Sequence, residues 1–287
     1  MDSELMATLE QAGEDRFPAS FSAACEVMEC LSHSEGSETL LVRSRAGGRL
    51  FVAKCYDVGH PLFAFEEPTV LKQLRYSGLP SFIGEYRSDT MRCVLREYIE
   101  GVTLDRLAAH ERLSTGQIRA IGIRLCEVLN YLHSRNPPVI HRDIKPQNVI
   151  LTDEGDVVLI DFGISRLYSQ DAKVDAVVFG TQAFSPPEQY GFSQTDCRSD
   201  IFSLGMLLRW LLTGKIDGEE LSGALGRVIN RCTAFAPKDR YASAASVKRA
   251  LQESAPGFKL WRILKVVAVI CSIALCAGVI MYCCFSI

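Results

Sequence analysis

The chain has 287 residues, of which 48% are apolar and 23% charged, and its formal net charge is −3. That length exceeds one small module and suits a large two-lobed domain with a tail. The balance of charge argues against a nucleic-acid binder, which carries a basic stripe, and no C-x-x-C pair before residue 255 offers a zinc site.

Residues 1–21 read as a loose acidic leader, unlike a secretory signal peptide. That places the soluble part in a reducing compartment with free thiols. Glu26–Cys30, Thr39–Arg43 and Leu50–Tyr56 alternate or run apolar as strands do, and Ala46-Gly47-Gly48 supplies a turn between the last two. Pro68–Leu74 is a short helix candidate. Cys93–Ile99 is a further strand, closed by Glu100-Gly101. Beyond it the pattern turns helical. Ser114 with Gln117 forms a capping box, and Ile118, Ile121, Leu125, Leu129 and Leu132 mark one helical face. Pro137-Pro138 stops that helix. Val157–Ile160 is a short buried strand, and Leu204–Leu212 and Leu225–Cys232 are helices. A β-rich first part before a helical second part predicts an α+β fold.

Residues 266–287 contain no charge. A span of about 20 apolar residues crosses a hydrocarbon core of about 30 Å, so the run predicts one C-terminal transmembrane helix. Lys259, Trp261, Arg262 and Lys265 precede it, a basic and aromatic flank that belongs on the cytoplasmic side. A buried C-terminal helix of the soluble part would show a polar face, and here only Ser272, Tyr282 and Ser286 offer one. The reading is a folded unit at 22–255, a basic linker at 256–265 and a single-pass anchor in the plasma membrane.

The chemistry concentrates in His141-Arg142-Asp143-Ile144-Lys145-Pro146-Gln147-Asn148, with Asp161-Phe162-Gly163 thirteen residues after Asn148 and Val52-Ala53-Lys54 upstream. Any one of these has an ordinary reading: a lone strand lysine is solvated, and a lone D-x-G is a turn. Three in this order and spacing resemble the protein kinase family. The resemblance covers roughly residues 22–254 and implies the bilobal kinase fold, with a β-rich N-lobe (22–99) and a helical C-lobe (100–255). It also implies ATP with Mg²⁺, or Mn²⁺ in its place. Asp143 would orient or accept the proton of the attacking hydroxyl, and Lys145 would reach the γ-phosphate. Asn148 and Asp161 would hold the metal through hard oxygens, and Lys54 would hold the α- and β-phosphates. Lys145 followed by Pro146 is similar to serine/threonine kinases, so protein substrates are implied. Glu97-Tyr98 resembles the hinge that pairs with adenine. Thr181, in Gly180-Thr181, and Pro186-Pro187-Glu188 resemble the end of an activation segment. Asp200 would hold the catalytic-loop backbone, and Arg240 would pair with Glu188. Glu67 and Glu66 both stand as partners for Lys54, with Glu67 favoured by its spacing to Leu71 and Leu74. The style is that of bacterial kinases of eukaryotic type, and homodimerisation is compatible with it.

Two places depart from the family. Its glycine-rich turn over the phosphates aligns with Ser32, Ser34 and Ser37, and only Gly36 remains nearby. Serine lacks the backbone freedom of glycine but donates a hydroxyl. Arg96 stands before the hinge, where the family has an apolar or small side chain. The departures keep a pseudokinase scaffold open as an alternative to a membrane-anchored kinase, and a small-molecule phosphotransferase as a third reading. Between Gly163 and Gly180 only Ser165, Tyr168 and Ser169 accept phosphate. In related kinases an arginine placed like Arg142 binds a phosphate on this segment, so Asp175, or after it Asp171, either stands in for that phosphate or is simply a solvated loop charge.

Overall fold

A computed structural model describes residues 16–60, 63, 67–163, 165–167, 183–190 and 195–257. The first lobe is a five-stranded antiparallel sheet in the order β1-β2-β3-β5-β4, with β1 at Cys25–Ser34, β2 at Ser37–Ser44, β3 at Leu50–Asp57, β4 at Phe82–Arg87 and β5 at Met91–Glu97. The two faces follow from alternation along each strand. Phe51, Ala53 and Cys55 of β3 join Met91, Cys93 and Leu95 of β5 in one apolar cluster on the outer face. Val52 and Lys54 point the other way, as do Val94 and Arg96, because Val52 pairs with Arg96 and Lys54 with Val94.

The outer face is covered by the segment that leads into the sheet. Residues 16–21, expected in a loose leader, pack instead: helix α1 (Ala19–Ala24) seats Phe21 at 0% exposure against the sheet. Phe21 meets Tyr86 edge-on at 5.6 Å, and Phe17 lies 5.3 Å from Phe21. Short helix α2 (Glu67–Gln73) starts one residue before the expected Pro68, and it presents Val70 and Leu71 to the core.

The second lobe is helical. Helix α3 (Leu104–His110) follows the two-residue strand β6 (Val102–Thr103). Helix α4 (Thr115–His133) begins at the predicted capping box, with Ser114 accepting from the Gln117 amide and Gln117 reaching back to Ser114. All five apolar residues assigned to its inner face are buried. Helix α5 (Cys197–Thr213) starts earlier than the Leu204 edge read from hydrophobicity. Its first turn is fixed by polar capping, with Asp196 accepting from Arg198 and Ser199 returning to Asp196. Helices α6 (Gly223–Cys232) and α7 (Ala244–Glu253) complete the core. Between the lobes run β7 (Val139–Ile140), β8 (Val149–Leu151), β9 (Val157–Leu159) and β10 (Arg166–Leu167), with β8 pairing β6 and β9, and β7 pairing β10. Among the described residues no helix is long and apolar enough to cross a membrane, and the span expected at 266–287 lies outside them.

Candidate active site

A cleft of about 590 Å³ opens between the lobes, a size that holds a small-molecule ligand. Its walls are aliphatic: Leu31 and Val52 from the sheet, Ile150 and Ile160 from below. Strand β1 is bulged between Cys30 and Ser32. A bulge re-aims side chains, and here Leu31 and Ser32 both line the cleft. The other two serines of the phosphate turn do not. Ser34 and Ser37 face each other across the hairpin, and the Ser34 hydroxyl donates to the Ser37 carbonyl at 3.4 Å. Glu35 and Gly36 form the tip, and Gly36 takes φ 68, which a side chain would resist.

Lys54 enters the cleft from β3 and forms an ion pair with Asp161. The Asp161 Oδ1 also accepts from the Gly163 amide at 3.0 Å. Burial alone would raise this carboxyl; the charges of Lys54 and Arg96, and the bonds from Lys54 and Gly163, outweigh it and hold Asp161 well below the ordinary carboxylate range. The strand-to-loop step is fixed by the Ile160 amide donating to the Asn148 carbonyl at 2.8 Å. Asn148 spends both of its side-chain hydrogen bonds through Nδ2, on the Asp143 carbonyl (2.9 Å) and the Asp143 Oδ2 (2.8 Å). Its Oδ1 is left to accept. Lys145 approaches the Asp143 Oδ2 at 2.8 Å. Lysine, asparagine and aspartate from the three sequence motifs thus meet in one place.

The scaffold beneath them is buried and polar. Asp200 accepts from the backbone amides of His141 (2.9 Å) and Arg142 (2.8 Å), and shares a 2.8 Å bond with His133. Burial pulls His133 down, but the Asp200 bond and charge and the Cys197 contact reverse it and raise it to about 9. Asp200 is held below its ordinary value: burial opposes this, and the His133 bond and charge prevail. The pairing expected for Glu188 is present. Arg240 grips it bidentately, Nη1 to Oε1 at 2.6 Å and Nη2 to Oε2 at 2.9 Å, and both residues are at most 4% exposed. Ser199 donates to the same Oε1 at 2.8 Å.

Other expectations meet limits. The Glu97 side chain turns away from the base slot and accepts from the Ser81 amide at 3.0 Å, so only its backbone is placed to face a ligand. Thr181, Asp171, Asp175 and Glu66 lie outside the described residues, as does the side chain of Glu67. Sequence reading missed the aliphatic walls, because Leu31 and Ile150 look like any strand residue. Gly101, read as closing the strand Cys93–Ile99, also allows a close approach: its φ is 146, and a Cβ there would stand 2.5 Å from the Leu151 carbonyl. The loop after β5 passes so close to β8 that only glycine fits.

The donor set suits magnesium. Among the described residues no three His, Cys, Asp or Glu side chains converge on a metal position. A divalent ion here would be held by Asn148 and Asp161, hard oxygen donors of the kind Mg²⁺ takes, whereas Zn²⁺ favours the nitrogen and sulfur of His and Cys.

Two lobes closing on a lysine, two oxygen ligands and a lysine-paired aspartate define a phosphotransferase cleft of the protein kinase type. Residues 32–251 match the protein kinase domain family. Serine/threonine-protein kinase PknA of Nostoc sp. is 36% identical over 213 residues, covering 65% of this chain and 37% of that protein. Serine/threonine-protein kinase D of Synechocystis sp. is 31% identical over 212 residues, covering 65% of this chain and 41% of that protein. Serine/threonine-protein kinase TIO of Arabidopsis thaliana is 31% identical over 150 residues, covering 52% of this chain and 11% of that protein. The chain therefore belongs to the protein kinase domain family, and it spans less than half the length of these relatives.

Proposed function

We propose that the chain is a membrane-anchored kinase that transfers the γ-phosphoryl group of ATP to serine or threonine hydroxyls of proteins. The observation that carries this is the meeting of Lys54, Asp143, Lys145, Asn148 and Asp161 at one cleft whose walls suit a planar base.

Each residue has a task that its surroundings support. The substrate hydroxyl is oriented by Asp143, which takes its proton as the oxygen bonds to the γ-phosphorus and the bond to the β-phosphate oxygen breaks. Lys145, at 2.8 Å, steadies the charge on Asp143 and lies at the cleft where the transferring group passes. Asn148 holds Asp143 through two bonds and keeps its own oxygen for the metal. Lys54, paired with Asp161, would hold the α- and β-phosphates. When bound, Mg²⁺ neutralises developing charge on the phosphate oxygens. Charge and positioning of this kind supply most of the rate in phosphoryl transfer.

Anchoring rests on the uncharged run at 266–287 and the basic residues before it. The test is incubation of the purified full chain with labelled ATP, Mg²⁺ and a generic protein substrate, followed by phosphoamino-acid analysis. Magnesium-dependent phosphoserine and phosphothreonine are expected. Nucleotide binding without transfer would favour the pseudokinase reading, to which the serine turn lends support, and would end this one.

A further inference from the structure

Beyond its charge, which acts on Asp161, Arg96 has no task in the transfer described above, and yet it lines the cleft. It lies opposite Val52 on the inward face of β5, is 5% exposed and lines the cleft alongside Val52, Ile160 and Asp161. Its Nη1 is buried without a hydrogen-bond partner. Leaving a buried donor unpaired is costly, and more so when it is charged. That cost is recovered when a ligand brings an acceptor.

The cleft limits where such an acceptor lies. Asn148 and Asp161, the latter paired with Lys54, mark the end proposed for the phosphates, and Glu97–Ile99, after Arg96, line another side. A purine held between the aliphatic walls with its 6,7 edge toward Arg96 meets that unpartnered donor. Adenine shows an amino donor at position 6 and an acceptor at N7. Guanine shows acceptors at both, O6 and N7, which is the pair that arginine binds bidentately.

We propose that Arg96 reads the 6,7 edge of the bound purine and admits guanine nucleotides as phosphoryl donors alongside adenine nucleotides. This rests on the kinase reading of the same site. An apolar side chain at position 96 would leave O6 desolvated and without a donor.

The parent chain tests this without any substitution. Calorimetry on the full chain with Mg²⁺ compares ADP, GDP and 7-deaza-GDP, which lacks the N7 acceptor. GDP is expected to bind within about tenfold of ADP, and 7-deaza-GDP about tenfold more weakly than GDP. In transfer assays the ratio of kcat/KM for GTP to that for ATP should fall about tenfold or more in Arg96→Met, with Arg96→Lys between. GDP binding weaker than that limit, equal binding of 7-deaza-GDP, or an unchanged ratio in Arg96→Met overturns the proposal. Absence of transfer from both nucleotides defeats the kinase reading, and the calorimetry then decides this one alone.

Discussion

Arg142 and Asp161 are the non-glycine residues, among those described, at left-handed backbone angles, each with φ 71. Such strain costs about 1–3 kcal/mol per residue and persists only where neighbours hold it. Arg142 is held by Asp200 through its amide and by Gln189, whose Nε2 donates to the Arg142 carbonyl at 3.0 Å. Asp200 in turn depends on His133, and this makes the scaffold sensitive to pH. The folded value of His133 is about 9, above its ordinary 6.5. A raised value stabilises the fold fully below pH 6.5 and loses that contribution as pH rises through about 9. Thermal melts of the parent should drop across that window, by an amount on the order of 1–3 kcal/mol. His133→Gln, which keeps a donor for Asp200 but cannot titrate, should lack that drop. A flat parent profile would contradict the His133–Asp200 account. Buried thiols such as Cys232, pushed up to about 12 by burial, add a loss that begins as pH nears 9, but it is common to parent and variant, so the difference between the two profiles isolates His133.

At the scale of elements, the clearest gap between sequence and structure is α1. Its six residues carry no periodic signal long enough to read, and Phe17 and Phe21 sit in a small, polar stretch. Only the sheet's covered outer face reveals what they do. Phe21→Ala should destabilise the domain by about 3–5 kcal/mol, measured by denaturant unfolding; a loss near zero would restore the loose-leader reading. The Glu188–Arg240 clamp was legible because its two motifs are long and specific, although 52 residues separate them. Arg240→Ala should cost about 3–5 kcal/mol, since it strands a buried carboxylate, whereas a surface pair would cost about 0–1 kcal/mol. The start of helix α4 was legible to the residue because its capping box is a local signal, while its end, at His133, comes before the Pro137-Pro138 stop. The start of α5 was not, because polar capping at Asp196 and not hydrophobicity sets it. In the cleft, motif residues could be read from spacing. Its walls could not, because they become walls only when β1 bulges and the lobes meet.

For the whole molecule, the account joins a catalytic domain to a membrane segment. Removing residues 259–287 should shift the chain from the membrane pellet to the supernatant of a fractionated cell while leaving nucleotide transfer intact, because every motif residue precedes the cut. Aggregation of the shortened chain would show that the apolar run belongs to the core. The central claim is that Asp143 handles the proton of the attacking hydroxyl. It is tested most directly by Asp143→Asn in the full chain, with labelled transfer and ADP binding measured on the same preparation. The account predicts that transfer falls by about 10²–10⁴-fold while nucleotide binding and the thermal midpoint stay at the parent's values. Retention of most Mg²⁺-dependent transfer by Asp143→Asn would contradict it.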